Sequence, residues 1–475
     1  MNLTLENGNE EGSYRDRNGS VFYHNHLVYR GISKKALQNW QALTETRFFQ
    51  TACDRGEVVR TWQVDSVEER LPRTQVERWP AILGHEPIPF VSYPYEWSFS
   101  ALKDAGLLQL QLLLRVLEED MILKDASAFN FQWVGTSPVF IDIPSFEAWS
   151  SGEPWLGYRQ FCQMFLYPLL LQAYKNISFQ PWLRGRLDGI EPAEMNNLMS
   201  WRDRLRAGVF PHIYLHSRFE NAFNNGTTSV KDRLRASGFG KELILTNIRR
   251  LESLVGGLNW RMHQSQWSGY GEGAHYSEED KQVKECFVRK AASTRSWPLA
   301  WDLGCNQGLY SRILAEHSET VVAMDADHLT IDRLYKDLRS EGNRRILPLV
   351  VNLADPPPAL GWRGRERKSL VERGRPALTL CLALIHHVVI QSNIPLSDFI
   401  EWLRSLGGAI VIEFVSREDP MVQRLLCNKV DDYADYDQGY FELVLQQNFH
   451  VVMKEDLHCG TRSLYFAEPL GKNDT

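Results

Sequence analysis

Residues 301–308 read Trp-Asp-Leu-Gly-Cys-Asn-Gln-Gly, after an apolar strand-like run and at the start of a helix-like one, and they are the most informative stretch for the fold. Glycines at a strand-to-helix turn let the backbone approach a ligand closely, and a helix N-terminus favours a negatively charged group. The spacing is Asp-x-Gly-x-x-x-Gly, whereas a dinucleotide-binding turn has Gly-x-Gly-x-x-Gly. The pattern therefore indicates a ligand site of another kind.

Strand-like and helix-like segments alternate on both sides of this turn. Such alternation predicts an α/β domain with a largely parallel sheet. Two late segments should pair at one edge, which gives a Rossmann-like, mixed but mostly parallel seven-stranded sheet. The predicted strands are 299–303, 320–324, 346–351, 377–384, 409–414, 449–453 and 463–467.

Acidic and amide side chains follow the next two predicted strands. Asp325-Ala326-Asp327 ends the second strand, where a carboxylate can accept both hydroxyls of a ribose. Asn352 and Asp355 follow the third, where they could read an adenine amino group. Surface acids in ordinary turns are the alternative, but the two motifs in order on consecutive strands favour a nucleoside-containing cofactor. The candidate cofactor-binding residues are Asp302, Gly304, Asn306, Gly308, Asp325, Ala326, Asp327, Asn352 and Asp355.

These motifs resemble those of a known family. Residues 302–308 resemble motif I of class I methyltransferases, and Met324-Asp325 resembles the acidic position that follows it. Residues 352–362 and 383–387 look like a bacterial subfamily of nodulation-protein-like methyltransferases, and the resemblance continues upstream over most of the chain. It implies S-adenosylmethionine as cofactor and methyl transfer as activity, but it implies little about the acceptor. The upstream segments that resemble the subfamily are 93–97, 123–127 and 139–142.

Candidates for the acceptor pocket follow the fourth and fifth predicted strands. Methyl transfer is an in-line displacement, so positioning dominates, and a base is needed only for a protonated oxygen or nitrogen acceptor. His386 and His387 could take such a proton, and Glu413 is a third candidate. One buried and one solvent-facing histidine would be the ordinary structural alternative. Tyr270 and Tyr276 could cover the cofactor, although packing is the favoured interpretation.

Residues 362–375 contain six basic and two acidic side chains. This run could hold a phosphate or an acidic substrate, or contact RNA. A solvated surface with helical ion pairs is the favoured interpretation.

Upstream of this domain the sequence predicts a hairpin at 19–32, a long helix from about Ser98 to Glu119 and a polar break at 221–229. The same region carries a different signature. Asp125 and Asn130 have the Asp-x-x-x-x-Asn spacing of a kinase catalytic loop, and Asp142 follows them. The region resembles a reduced kinase or aminoglycoside-phosphotransferase fold, in which these three side chains would bind nucleotide and magnesium. The glycine-rich loop is missing, Arg30 stands where a lysine belongs, and Lys124 replaces an arginine. An unrelated α+β domain with a chance spacing is the alternative. We favour a degenerate domain that binds a nucleotide or presents substrate.

Length and composition bound the domain organisation. The 475 residues are too many for one core, and we expect a disordered tail at 1–18, an α+β domain at 19–220, a linker with a connecting helix at 221–265 and the methyltransferase domain at 266–475. The net charge of −6 gives no general attraction to nucleic acid or membrane. Seven scattered cysteines without a Cys-x-x-Cys pair, and a polar N-terminus, favour a cytoplasmic protein.

Three functions remain open from the sequence: methylation of a small molecule or glycan, phosphotransfer or nucleotide binding through Asp125, Asn130 and Asp142, and a noncatalytic scaffold. Intact Asp302, Gly304 and the other motif residues favour the first. No metal site is expected, and the sequence does not indicate an oligomeric state.

Overall fold

The computed structural model of the chain describes residues 8–65, 71–218, 240–262, 277–427, 429, 433 and 435–471. The chain divides into two compact units. The first, here called the N-terminal unit, comprises residues 3–262 together with 361–367. The second, the C-terminal unit, comprises 263–360 and 368–475 together with the first two residues. The predicted break at 221–229, and Tyr270 and Tyr276, lie outside the described residues.

The N-terminal unit is an α+β structure. Its strands are β1 Gly8–Asn9, β2 Gly19–His24, β3 Leu27–Ile32, β4 Thr61–Gln63, β5 Ala81–His85, β6 Met121–Leu123, β7 Phe131–Val134, β8 Ser137–Phe140 and β9 Phe146–Ala148. Its helices are α1 Lys34–Thr44, α2 Arg47–Asp54, α3 Arg73–Val76, α4 Phe99–Glu118, α5 Tyr158–Phe161, α6 Tyr167–Lys175, α7 Gln180–Gly185, α8 Pro192–Leu198 and α9 Lys241–Gly257. A π-helical turn, Cys162–Leu166, joins α5 to α6.

Five antiparallel strands form the first sheet, in the order β1-β2-β3-β5-β4. The predicted hairpin is its centre, and Val21 lies opposite Arg30. The prediction of a disordered tail through residue 18 is wrong for its second part. Gly8 and Asn9 pair with β2, and the Tyr23 hydroxyl donates to the Glu10 carboxylate at 2.6 Å. These contacts order the chain from residue 8 onward.

The long helix α4 was predicted closely, because its apolar residues recur at helical spacing and Ser98 caps its first turn by accepting from the Ala101 amide. Helix α9, predicted to connect two domains, instead packs along α4. Lys103 donates to the carbonyl oxygens of Gly256 and Leu258, both at 2.8 Å. The predicted connecting helix is thus part of the N-terminal unit.

The C-terminal unit is an α/β structure. Its strands are β10 Trp297–Leu303, β11 Ser318–Asp325, β12 Ile346–Val350, β13 Leu378–Cys381, β14 Ala409–Val415, β15 Phe449–Asp456 and β16 Arg462–Pro469. Its helices are α10 Glu278–Ala292, α11 Leu309–His317, α12 His328–Ser340, α13 Leu396–Leu406, α14 Pro420–Leu426 and α15 Gln438–Asn448.

These seven strands form one sheet in the order β12-β11-β10-β13-β14-β16-β15. The first five are parallel, and β16 is antiparallel to both β14 and β15. The order reverses at β10, because the chain first runs outward to β12 and then returns to β13. Ligands of parallel α/β sheets bind at such a switch point, outside the carboxyl ends of the strands.

Strand β13 ends earlier than predicted. It stops at Cys381, because Ala383 has a φ of +50°, a left-handed conformation that leaves the extended region. The segment 382–384 is therefore a loop at the carboxyl edge of the sheet, and a short helix follows from residue 385, with a π-helical turn at His387–Gln391. Across the described residues, no helix is both long and apolar enough to cross a membrane.

Candidate functional site

The glycine turn after β10 depends on both of its glycines. Gly304 and Gly308 have φ values of +74° and +76°, which favour glycine. A Cβ on Gly308 would lie 2.6 Å from a methyl carbon of Leu334. The amides of Gly304 and Cys305 both donate to the Met324 carbonyl oxygen, at 2.8 and 3.0 Å. The turn is thereby fastened to the end of β11, next to Asp325.

Asp302 lies beneath this turn. Its carboxylate is buried and accepts a 2.5 Å hydrogen bond from the Ser311 hydroxyl on α11. Burial raises the pKa of Asp302 to about 6. These contacts tie β10 to α11, so Asp302 acts on the glycine turn through Ser311.

Asp325 stands at the switch point with acceptor capacity left for a ligand. Its two carboxylate oxygens accept from the amides of Asn306 and Asp327, at 3.0 and 2.9 Å. A carboxylate has about four lone-pair sites, so these two bonds do not exhaust it. Burial raises the pKa of Asp325, and the backbone amide bonds oppose that shift. Asn306 adds a buried Oδ1 atom that has no hydrogen-bond partner in the structure.

The other predicted cofactor residues differ in their surroundings. Asp327 caps α12, because its Oδ1 accepts from the amides of Leu329 and Thr330 at 2.9 and 3.0 Å. This cap explains Asp327 without a ligand. Ala326, Asn352 and Asp355 are exposed, and the Asn352 side chain accepts from the Ala354 amide.

His386 is fully buried at the start of the helical turn that follows β13. Neither of its ring nitrogens has a hydrogen-bond partner in the structure. Its ring lies 4.2 Å from that of His387, which is half-buried and bonds Gln391 through Nδ1 at 2.9 Å. Burial, and then the charges of His387, Arg462 and Lys284, lower the pKa of His386 well below its usual value. His386 is therefore neutral near pH 7.

Glu413 is buried within a network of charges rather than open to an acceptor. Its carboxylate binds Lys284 at 2.6 Å and Arg462 at 3.2 Å, and accepts from the Ala383 amide at 2.8 Å. Arg462 also binds Asp419 at 2.7 Å. Two cations and two carboxylates balance in this network, which joins α10, β14, β16 and the start of α14.

Lys284, Arg462 and Asp419 were not identified from the sequence. Lys284 and Arg462 occupy core-facing positions of a helix and a strand, and an isolated polar residue in such a pattern is the only sequence signal. The partner of each charge lies far away along the chain, so only the folded structure reveals the network.

The three kinase-like positions of the N-terminal unit lie around a strand pair. Strand β6 pairs with β9, and the β7–β8 hairpin lies between them in sequence. The Ile141 amide donates to the Asn130 carbonyl at 2.8 Å, and Asp142 binds Arg30 at 2.5 Å. Burial, and then the charge of Asp142, raises the pKa of Asp125 to about 6.

The basic segment 362–375 is less solvated than predicted. Glu366 is buried and binds both Arg15 and the Tyr14 hydroxyl, and Arg367 lies 4.2 Å over the Phe129 ring, all within the N-terminal unit. Further along, Arg373 is buried. The solvated interpretation is wrong for these residues, because the segment makes tertiary contacts that sequence spacing does not show.

Among the described ranges, no cluster of three or more His, Cys, Asp or Glu side chains could hold a metal ion. No protein-family model matches the chain. A relative, the nodulation protein NoeA of Rhizobium meliloti (strain 1021), is 31% identical over 463 residues, which is 97% of this chain and 96% of the relative.

Solved structures also resemble the chain. The N-methyltransferase NodS from Bradyrhizobium japonicum WM9 is 12% identical, with 41% of this chain and 99% of that chain covered and a TM-score of 0.31. An S-adenosylmethionine-dependent methyltransferase from Aquifex aeolicus is 13% identical, with 41% and 100% covered and a TM-score of 0.28. At such TM-scores the superpositions do not establish the fold.

The strand order describes the fold directly. Five parallel strands with the order reversing at β10, and an antiparallel β16 beside β14, give the predicted Rossmann-like, mostly parallel seven-stranded sheet. The glycine turn follows β10 and an acidic residue ends β11, as the two sequence motifs predicted. The identity over nearly the whole length of both chains shows that this chain belongs to the NoeA family of nodulation proteins.

Proposed function

We propose that the protein methylates a hydroxyl or amine of a small molecule or glycan. The observation that carries this proposal is the switch-point site, where the glycine turn and the Asp325 carboxylate meet at the carboxyl ends of β10 and β11. The net charge of −6 favours such an acceptor over nucleic acid.

The residues present fit the cofactor. When bound, S-adenosylmethionine supplies an electrophilic methyl group on a positively charged sulfur. Asp325 would hold the ribose hydroxyls with its remaining acceptor capacity, and the Asn306 Oδ1 atom would accept from the amino acid ammonium. Asp302 and Asp327 keep the turn and α12 in place, while Asn352 and Asp355 would border the adenine.

His386 would contact the acceptor. A neutral imidazole has one donor and one acceptor nitrogen, and both are unsatisfied here. A hydroxyl group can donate to the acceptor nitrogen, and this nitrogen can take its proton during transfer. Glu413 would support this loop through the Ala383 amide, and His387 would pack against His386.

The protonation state of His386 gives a prediction. Since the pKa of His386 in the folded protein is lowered well below its ordinary value, the ring should stay neutral near pH 7. The ring then takes up a proton only on unfolding, so the protein should lose stability as the pH falls below about 6.5. Histidine-ring NMR of the wild type should show a signal that does not titrate and is absent from His386→Asn. A signal from His386 that titrates near pH 6.5 would contradict the neutral base.

The cofactor and the competing nucleotide hypothesis are tested together by thermal shift with S-adenosylmethionine, S-adenosylhomocysteine and Mg-ATP in separate samples. A ligand at a hundred times its dissociation constant adds about 2.7 kcal/mol to the folded state. We expect stabilisation by both sulfur compounds, which Asp302→Ala should reduce. Stabilisation by Mg-ATP alone, lost in Asp142→Ala, would reverse the assignment.

A second candidate is nucleotide binding by the N-terminal unit. The raised pKa of Asp125 beside Asp142 favours it, because two close carboxylates attract a cation. The ion pair between Arg30 and Asp142 opposes it, since a magnesium ion would have to displace the guanidinium. We therefore keep a degenerate nucleotide- or substrate-presenting domain as the role of this kinase-like unit.

All seven cysteines are free, which supports a reducing compartment such as the cytoplasm.

A further inference from the structure

Three large apolar side chains project from one short segment of the N-terminal unit. Trp201, Leu205 and Phe210 are 69%, 86% and 47% exposed. They lie on the segment 200–218, which contains a 3₁₀ turn, Arg202–Leu205, and a π-helical turn, Phe210–Leu215. Single exposed apolar residues are ordinary, but three large ones within ten positions of one segment need an explanation. We call 200–218 the Trp201 segment.

Arginines alternate with these apolar side chains. The Trp201 segment contains four arginines and a single acidic residue, Asp203. Asp203 is buried and bound to Lys175 at 2.9 Å, so its charge is not presented at the surface. Arg202 and Arg204 lie over aromatic rings, the first over Trp201 at 5.2 Å and the second over Tyr214 at 4.1 Å. The segment is thus locally cationic on a chain whose net charge is −6.

From this surface we infer that the Trp201 segment docks the protein on an anionic lipid surface. Leucine, tryptophan and phenylalanine side chains enter the boundary between headgroups and acyl chains, while guanidinium groups bind phosphates beside them. The apolar and the cationic parts are each weak alone, and their combination gives reversible binding. The net charge of −6 repels an anionic lipid surface, so the electrostatic attraction has to come from the arginines of this segment. Added salt should weaken that attraction.

The arrangement of rings argues against nucleic acid as the occupant. Single-stranded nucleic acids stack their bases on free aromatic faces. The Tyr214 ring contacts Arg204 and stacks on Phe210 with centroids 5.5 Å apart, and the Trp201 ring contacts Arg202. Leu205, the most exposed of the three apolar residues, offers nothing to a base or a phosphate. A projecting leucine is instead suited to insertion into lipid.

The test is co-sedimentation of the full-length protein with vesicles of phosphatidylcholine alone or mixed with phosphatidylglycerol. We expect binding to the mixed vesicles only, weakened by added salt. Leu205→Glu should abolish it, and the double variant Arg202→Ala/Arg204→Ala should weaken it about 25-fold, since each arginine near an anionic surface contributes about fivefold. Matched controls are Leu443→Glu, at a leucine that is 51% exposed in the C-terminal unit, and Arg249→Ala/Arg250→Ala on the exposed side of α9. Both should bind like the wild type.

Two outcomes would overturn the inference. One is the absence of binding to the mixed vesicles, or equal binding by Leu205→Glu. The other is a dimer in light scattering that Leu205→Glu dissociates, which would make a second copy the occupant. Unchanged S-adenosylhomocysteine binding by every variant would show that each is folded, and it separates a failure of this inference from a failure of the proposed methyl transfer.

Discussion

Replacing Asp325 with alanine is expected to weaken S-adenosylhomocysteine binding by at least tenfold, as measured by isothermal titration calorimetry. The substitution removes the carboxylate lone pairs left for the ribose hydroxyls. It also releases the Asn306 amide, which the same carboxylate holds at 3.0 Å, and so loosens the glycine turn. Losing a charge-assisted pair of hydrogen bonds together with the support of the turn gives the largest effect expected on cofactor binding.

The matched control is Asp337→Ala, which removes an exposed aspartate from α12 of the same unit. It should leave affinity for S-adenosylhomocysteine unchanged. Asp325→Asn should fall between the two, because an amide keeps one oxygen acceptor but loses the charge. Wild-type affinity in Asp325→Ala, with a normal melting temperature, would remove this residue from the cofactor site.

Replacing Glu413 with leucine should destabilise the folded protein strongly. It leaves Lys284 buried without its carboxylate and removes one partner of Arg462, and it also deprives the Ala383 amide of its acceptor. Breaking a buried ion pair on one side typically costs about 3–5 kcal/mol. We expect the melting transition in calorimetry to fall by about 10 °C or more.

Two further variants test whether the loss of stability comes from leaving a buried charge unpaired rather than from breaking any ion pair. In the double variant Lys284→Met/Glu413→Leu no lysine charge is left unpaired, and Arg462 retains Asp419 at 2.7 Å, so much of the lost stability should return. Glu316→Ala breaks a half-exposed pair with Arg289 and should cost less than about 1 kcal/mol. If Glu413→Leu lowered the free energy of unfolding by a similarly small amount, the claim that the charge network stabilises the core would be contradicted.

The local sequence pattern was sufficient to predict those elements whose stabilising contacts lie within a few residues along the chain. The helix begun by Ser98 and the hairpin of β2 and β3 follow from capping and alternation along a few residues. The glycines at 304 and 308 predicted the turn, because a left-handed backbone next to a packed leucine admits little else. Predictions failed where a distant segment supplies the contact. Residues 8–18 were predicted to be a disordered tail, because their pairing partner β2 is a separate segment of the chain. Helix α9 was predicted to be a connector, because its packing against the distant α4 is not visible in the local sequence.

The candidate site divides in the same way. The order of residues along single stretches of chain was enough to predict the seven-stranded α/β unit, the glycine turn and the acidic end of β11. What those residues touch emerged only from the folded chain. In the folded protein, Asp302 accepts a hydrogen bond from Ser311, and Asp327 caps a helix. Both ring nitrogens of His386 lack a hydrogen-bond partner, and Glu413 is buried between Lys284 and Arg462. The role of a charged side chain depends on its burial and on its partners. Those partners come from strands and helices that are distant along the chain, or from turns whose geometry the local sequence does not reveal.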